Sequence, residues 1–267
     1  MQVVILCGGQ GTRIRDVADD IPKPMIPIGG RPILWHIMKG FAHHGFTDFI
    51  LCLGHKSWMI KKFFLDYHLA GADFSLELQS PGQIRLHSSN IGENWHVTLA
   101  ETGIDAMTGC RVKRIEKYIH SDNFLLTYGD GVSDVDCRAL VDFHLSHGKI
   151  GTVTAVRMPG RFGEVELDNC QVLDFSEKPI FTRGRINAGF GVFHRCFFDR
   201  LQDDPGLVLE FEPLTGLARD NELMAYLHDG FWHGMDSSRD YKFLNDHCAA
   251  GTAPWMSWEK QRLRQAA

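Results

Sequence analysis

No apolar stretch of the chain approaches the roughly 18 residues that a membrane-spanning helix needs. The apolar run near the N-terminus is too short for a signal peptide and has no basic region ahead of it. A cytoplasmic protein without a membrane partner is therefore expected. Positive charge is scarce: 28 Lys and Arg stand against 33 Asp and Glu, a net charge of −5, which leaves no global field for nucleic acid or an acidic membrane. Any attraction for a polyanion has to be local. The seven cysteines are scattered and include no Cys-x-x-Cys pair, a pattern of reduced thiols and not of a disulfide framework. The 14 histidines lack the spacing with cysteine that a zinc site requires, so no structural zinc is expected. Repeats, low-complexity tracts and long Gly/Ser/Pro linkers are missing too, and residues 1–267 are expected to form one domain.

What is present is an ordinary globular composition, 44% hydrophobic and 23% charged, with strand-like and helix-like segments in alternation. Val3 to Leu6 reads as a buried strand. Pro32 opens a segment with Ile33, Leu34, Ile37, Met38 and Phe41 at helical spacing. Phe49 to Leu53 is a second buried strand, Trp58 to Leu65 a helix, and Phe74, Leu76 and Leu78 alternate as in a strand. Apolar residues at 112, 115 and 119 predict a helix from Arg111 to Ile119, and Phe124 to Tyr128 a strand. Alternation of this kind predicts an α/β fold, a Rossmann-like, mostly parallel sheet flanked by helices. After about residue 150 the strands shorten (Thr152 to Val156, Gly163 to Leu167, Val172 to Phe175, Phe190 to Phe193), which fits a smaller lobe appended to the sheet. The segment from Ser80 to Asn94 is polar and irregular, and disorder and an oligomer contact are equally compatible with it.

The first strand runs into Cys7-Gly8-Gly9-Gln10-Gly11-Thr12-Arg13, and Lys23 follows in Pro22-Lys23-Pro24-Met25. Glycines let backbone N–H groups approach an anion, Thr12 and Arg13 add donors, and Lys23 adds a compact charge. The dinucleotide fingerprint is excluded because its third glycine position holds Ile14. The ATP-cradling loop is excluded because the order is Gly-Thr-Arg and not Gly-Lys-Ser/Thr. A ligand-free turn would have no use for the added Arg and Lys.

A second candidate is Gly129-Asp130-Gly131, at the end of the strand Phe124 to Tyr128. By itself the triplet is a tight turn. Beside a phosphate loop at another strand end, an unhindered carboxylate suits Mg²⁺, which takes oxygen ligands and substrate phosphates. Asp236 is a candidate second carboxylate, or else the cap of a helix that begins near Ser237. Glu177 and Lys178 read either as a solvated pair or as ligands for sugar hydroxyls and a monophosphate, and Asn187 as either a bland polar residue or a hydroxyl ligand.

Taken together, Gly-Gly-x-Gly-Thr-Arg, Lys23-Pro24-Met25, Pro32 to Lys39, Trp95 to Leu99, Met107 to Arg111, Tyr128 to Asp134, Pro159 to Gly163 and Ala253-Pro254-Trp255 resemble the glucose-1-phosphate cytidylyltransferases, a branch of the sugar nucleotidyltransferases. The likeness covers nearly the whole chain. It implies that CTP and α-D-glucose 1-phosphate give CDP-glucose and pyrophosphate with Mg²⁺ as cofactor, in a homo-oligomer serving bacterial surface-polysaccharide (O-antigen) synthesis. It also implies roles for residues. Asp130 and Asp236 would hold the metal, and Arg13, Lys23 and Asp130 would be catalytic. Leu6, Cys7, Gly8, Gly9, Gln10, Gly11, Thr12, Thr108 and Arg111 would join those three around the nucleotide. Lys178 would hold the sugar phosphate, and Glu177 and Asn187 the sugar hydroxyls. Cys7, Gln10 and His55 depart from the residues usual in the family, which leaves UTP, dTTP or another sugar phosphate as alternatives. An idle nucleotide-binding regulator would be expected to lack Arg13, Lys23, Asp130 or Asp236, and all four are present.

Overall fold

The computed structural model describes residues 1–11, 14, 20–77, 79, 84–87, 92–158, 163–177 and 184–259, with only the backbone of residues 164 and 167. β1 (Gln2–Leu6) is buried at every position, and its side chains alternate between two cores. Val3 and Ile5 enter one and Val4 and Leu6 the other, which explains why the strand reads as a continuous apolar run. β2 (Pro27–Ile28) and β3 (Arg31–Pro32) form a small hairpin leading into α1 (Ile33–His43). The apolar spacing seen in the sequence becomes the buried face of α1: Ile33, Leu34, Ile37, Met38 and Phe41. β4 (Asp48–Leu53), α2 (Ser57–Leu65), the exposed hairpin β5 (Phe74–Leu76) and β6 (Ile84–Leu86), and β7 (His96–Glu101) follow.

α3 spans Thr108–Arg114 and gives way to a 3₁₀ turn at Glu116–Tyr118, so the single helix expected from Arg111 to Ile119 is two shorter pieces starting earlier. Val112, Ile115 and Ile119 are fully buried in either arrangement, which is why apolar spacing could not tell them apart. β8 (Asn123–Tyr128), β9 (Gly131–Ser133) and α4 (Cys137–His147) come next, with Asp136 capping α4 through its side chain. The remaining elements are β10 (Gly151–Arg157), β11 (Glu164–Asp168), β12 (Gln171–Ser176), β13 (Arg185–His194), α5 (Glu212–Arg219), β14 (Leu223–His228), β15 (Trp232–Gly234) and α6 (Ser238–Ala249).

The central sheet has seven strands in the order β14-β10-β13-β8-β1-β4-β7, and only β13 runs antiparallel to its neighbours. Of the late strands, β11 and β12 form a separate two-stranded sheet, whereas Thr152 to Val156 and Phe190 to Phe193 belong to β10 and β13 of the central sheet. From β1 the chain builds outward through β4 to β7, then returns to place β8 on the other side of β1. Beyond the carboxyl ends of β1 and β8 lies the crevice that such a reversal creates, the usual ligand position in open α/β sheets.

Candidate active site

The loop after β1 and the loop after β8 meet at this reversal. Gly129 N–H donates to Leu6 O at 3.0 Å, and the two loops line a cleft of about 490 Å³ with Lys23, Thr108, Arg111, Tyr128, Asp130 and Asp236. Residues far apart in sequence are thereby brought into one cavity.

At one part of the cleft three charges converge. Lys23 sits on a 3₁₀ turn, Lys23–Met25, whose Pro24 is buried. Its Nζ lies 2.6 Å from Asp130 Oδ2 and 2.7 Å from Asp236 Oδ1, partners 107 and 213 positions away in sequence. Asp236 arrives there because β15 pairs with β9, setting Gly234 opposite Gly131, and Met235 N–H donates to Asp130 O at 2.8 Å. The cap of α6 is Ser237, whose side chain accepts from Asp240 N–H, so the carboxylate of Asp236 is available to the cleft. Buried Asp240 secures this turn by accepting from Asp236 N–H at 3.2 Å, Ser237 Oγ at 2.7 Å and His233 Nε2 at 3.0 Å. Burial lowers the pKa of the Lys23 ammonium, but Asp130 and Asp236 outweigh it and raise the pKa above its ordinary value. Two carboxylates meeting one cation form an oxygen donor set that fits a hard divalent ion such as Mg²⁺. Among the described residues no group of three or more His, Cys, Asp or Glu is placed to hold a metal, so phosphates and water would complete the coordination.

Arg111 also lines the cleft, in a different manner. The residue is only 4% exposed, and its guanidinium donates to Leu53 O, Thr102 Oγ1, Gly103 O, Gly8 O and Ile104 O at 2.7–3.2 Å. A Cβ at Gly8 or Gly54 would overlap it, so these glycines make room for an arginine. Gly8 O also accepts from His55 N–H at 3.1 Å. With that carbonyl held inward, the trans peptide plane turns Gly9 N–H the opposite way, and among the described residues nothing lies within 4 Å of a Cβ on Gly9. Arg111 thus fixes the orientation of the Gly8 carbonyl, and its Nη1 and Nη2 groups are occupied by protein acceptors. The neighbouring Cys7 thiol is buried, which pushes its pKa well above the ordinary range and leaves it a poor nucleophile.

Thr108 and Tyr128 share a partner that sequence reasoning missed. Thr108 Oγ1 donates to Glu210 Oε2 at 2.7 Å, and the Tyr128 hydroxyl donates to Glu210 Oε1. The available signal was a lone carboxylate in Val208-Leu209-Glu210-Phe211, since a carboxylate in an apolar setting needs donors. Other expectations fall elsewhere. Glu177, just after β12, and Asn187, on β13, are exposed and are not among the cleft-lining residues, and Asn187 Oδ1 accepts from Gly189 N–H at 2.9 Å. Thr12, Arg13 and Lys178 lie outside the described residues, as does most of the segment 80–91.

Residues 2–233 match the family described as Nucleotidyl transferase. A glucose-1-phosphate cytidylyltransferase from Salmonella typhi is 45% identical over 260 residues, which cover 97% of this chain and 100% of that protein. A probable glucose-1-phosphate cytidylyltransferase from Bacillus subtilis is 40% identical over 258 residues, 97% of this chain and 100% of its own. Among solved structures, HddC from Yersinia pseudotuberculosis superposes with a TM-score of 0.64 at 23% identity, covering 92% of this chain and 98% of that one, a likeness of fold. With a parallel sheet that reverses at β1, a glycine loop and paired carboxylates at that reversal, and relatives matched end to end, the chain belongs to the nucleotidyl transferase family and, within it, to the glucose-1-phosphate cytidylyltransferases.

Proposed function

We propose that the protein transfers a cytidylyl group from CTP to α-D-glucose 1-phosphate, forming CDP-glucose and releasing pyrophosphate. The observation that carries this reading is the meeting of Lys23 with Asp130 and Asp236 beside the Gly8–Gly11 loop. A phosphate oxygen of the sugar phosphate attacks the α-phosphorus in line, the bond to the bridging oxygen of the β-phosphate breaks, and pyrophosphate departs. No side-chain nucleophile is required, which agrees with the protonated, buried state of the Cys7 thiol. The work of the chain is placement and charge compensation.

In this reading Gly9 N–H and its neighbours cradle phosphate oxygens, and Arg13 adds charge at the β- and γ-phosphates. Asp130 and Asp236 hold Mg²⁺, which supplies charge neutralisation at the reacting phosphates. Lys23 exchanges carboxylate oxygens for those of the α-phosphate and the sugar phosphate when substrates enter. Lys178 serves the sugar phosphate, and Glu177 and Asn187 the sugar hydroxyls. That assignment requires the segment after β12 and the start of β13 to supply side chains to the sugar. A single domain, a homo-oligomer and a cytoplasmic setting complete the proposal. No helix among the described residues is long and apolar enough to cross a membrane.

The test is pyrophosphate release with Mg²⁺ and glucose 1-phosphate, comparing CTP, UTP, dTTP, ATP and GTP. Strong preference for CTP is the expected result. Preference for another nucleotide would move the protein to a sister specificity, and silence with all five would exclude this pairing of reaction and sugar.

A further inference from the structure

Glu210 stands behind two residues of the cleft wall, and it determines which way their hydroxyl protons point. A carboxylate oxygen accepts hydrogen bonds and has none to give. Thr108 Oγ1, with one proton, directs it to Glu210 Oε2 at 2.7 Å and also accepts from Leu209 N–H at 2.9 Å. The Tyr128 hydroxyl directs its proton to Glu210 Oε1. Both residues line the cleft, yet neither hydroxyl has a proton left for a ligand. What each retains is lone-pair capacity.

We propose that Glu210 leaves the Thr108 and Tyr128 hydroxyls as acceptors only, and that these two oxygens select the exocyclic amino group of cytosine over the carbonyl of uracil. The proposal rests on the cytidylyltransferase reading above. The reason for assigning the selection to the base is chemical. Ribose and hexose hydroxyls both donate and accept, so they can turn a proton toward an acceptor wall and are not sorted by its polarity. Cytosine and uracil differ at this position by a fixed donor against a fixed acceptor. A uracil carbonyl facing two oxygens whose protons are committed elsewhere loses a hydrogen bond and meets lone pairs. Sites that leave a buried polar group unpaired in this way discriminate strongly between otherwise similar ligands.

Glu210→Gln tests the idea because it reverses polarity while keeping shape. Its amide oxygen still accepts from one hydroxyl, but its amide nitrogen must donate to the other, whose proton is then released toward the cleft. The measurement is kcat/KM for CTP and for UTP at saturating glucose 1-phosphate, in wild type, Glu210→Gln and Tyr128→Phe. The CTP-to-UTP ratio is expected to fall by about 10-fold or more in Glu210→Gln, with UTP use rising in absolute terms, a gain that misfolding cannot produce. Tyr128→Phe, which removes one acceptor and keeps the ring, is expected to lower the ratio by reducing CTP use, and it serves alone if Glu210→Gln fails to fold. A ratio equal to wild type in the folded variants overturns the role of Glu210, whether both rates hold or fall together. So does a rise confined to the KM for glucose 1-phosphate. A wild-type enzyme that prefers another nucleotide overturns the underlying cytidylyltransferase reading instead, so the two failures are told apart.

Discussion

Lys23 and Arg111 line the same cleft, but one is held by charge and the other by neutral oxygens. Lys23 meets two carboxylates that are 37% and 51% exposed at their side chains, partners that water and substrate can reach. Arg111 is buried and meets four backbone carbonyls and one hydroxyl, none of them charged. For Lys23 the surrounding acids outweigh burial and raise the pKa, whereas for Arg111 burial comes first and lowers it. A cation paired with exposed carboxylates can change partners when phosphates and a divalent ion arrive. One enclosed by carbonyls cannot, and acts by fixing the backbone around it. On the proposed function, residues of the same sign in one cavity therefore divide into a reacting group and a framework.

That division can be broken most severely at the carboxylates. Asp130→Asn is expected to lower turnover by about 100-fold or more, with a much smaller loss of nucleotide affinity in a binding titration. Retained turnover would remove Asp130 from the metal role. Lys23→Met is expected to lower turnover to a similar extent while changing stability by about 1 kcal/mol or less, because the carboxylates it leaves are partly solvated. Urea unfolding measured beside activity checks both halves of that statement.

Arg111→Met should show the opposite profile. Gly8 O and Leu53 O keep backbone partners in His55 N–H and Thr102 N–H, but Gly103 O and Ile104 O lose the guanidinium. The expected cost is about 2–4 kcal/mol in urea unfolding, the range for leaving one or two such groups unpaired. If Arg111→Met unfolds like wild type and loses only nucleotide affinity, the guanidinium binds substrate directly and the comparison fails.

The smallest effect extends the comparison to a group that can give up its charge. His144 is buried, with Nδ1 2.9 Å from Thr152 Oγ1 and Nε2 3.0 Å from Asn123 Oδ1, so it too has neutral partners. Burial first, then the neighbouring His147 and His194, push its pKa down to about 4. Unfolded histidine titrates near 6.5. Between these values the unfolded chain binds the extra proton, so stability rises with pH across the window and is lost as pH falls from about 6.5 toward 4. Urea midpoints measured from pH 7 to 4.5 should decline more steeply in wild type than in His144→Gln. Equal slopes would show that His144 does not contribute.

Much of this was legible before any coordinates. Val3 to Leu6 could only be a strand buried on both faces, and α1 follows the apolar spacing from Ile33 to Phe41 residue for residue. The glycine loop and Lys23 stood out by their local chemistry, whereas Asp130 needed the neighbouring loop and Asp236 the family resemblance to be separated from a turn and a helix cap. Arg111, which the resemblance assigns to the nucleotide, does line the cleft, but the five protein acceptors around it could not be read from the motif. Glu210 was passed over because its partners, Thr108 and Tyr128, lie 102 and 82 positions away.

The sequence by itself determined the alternation of elements, the family, and the residue types that polyphosphate chemistry needs, since these depend on local spacing and on intrinsic charge and hydrogen-bonding capacity. Only the tertiary structure decided that Lys23 meets two carboxylates while Arg111 meets neutral oxygens, that Ser237 and not Asp236 caps the last helix, and that one carboxylate orients two hydroxyls of the cleft wall. Those outcomes follow from through-space burial and hydrogen-bond saturation, which are set when the sheet reverses at β1 and packs distant loops against one another.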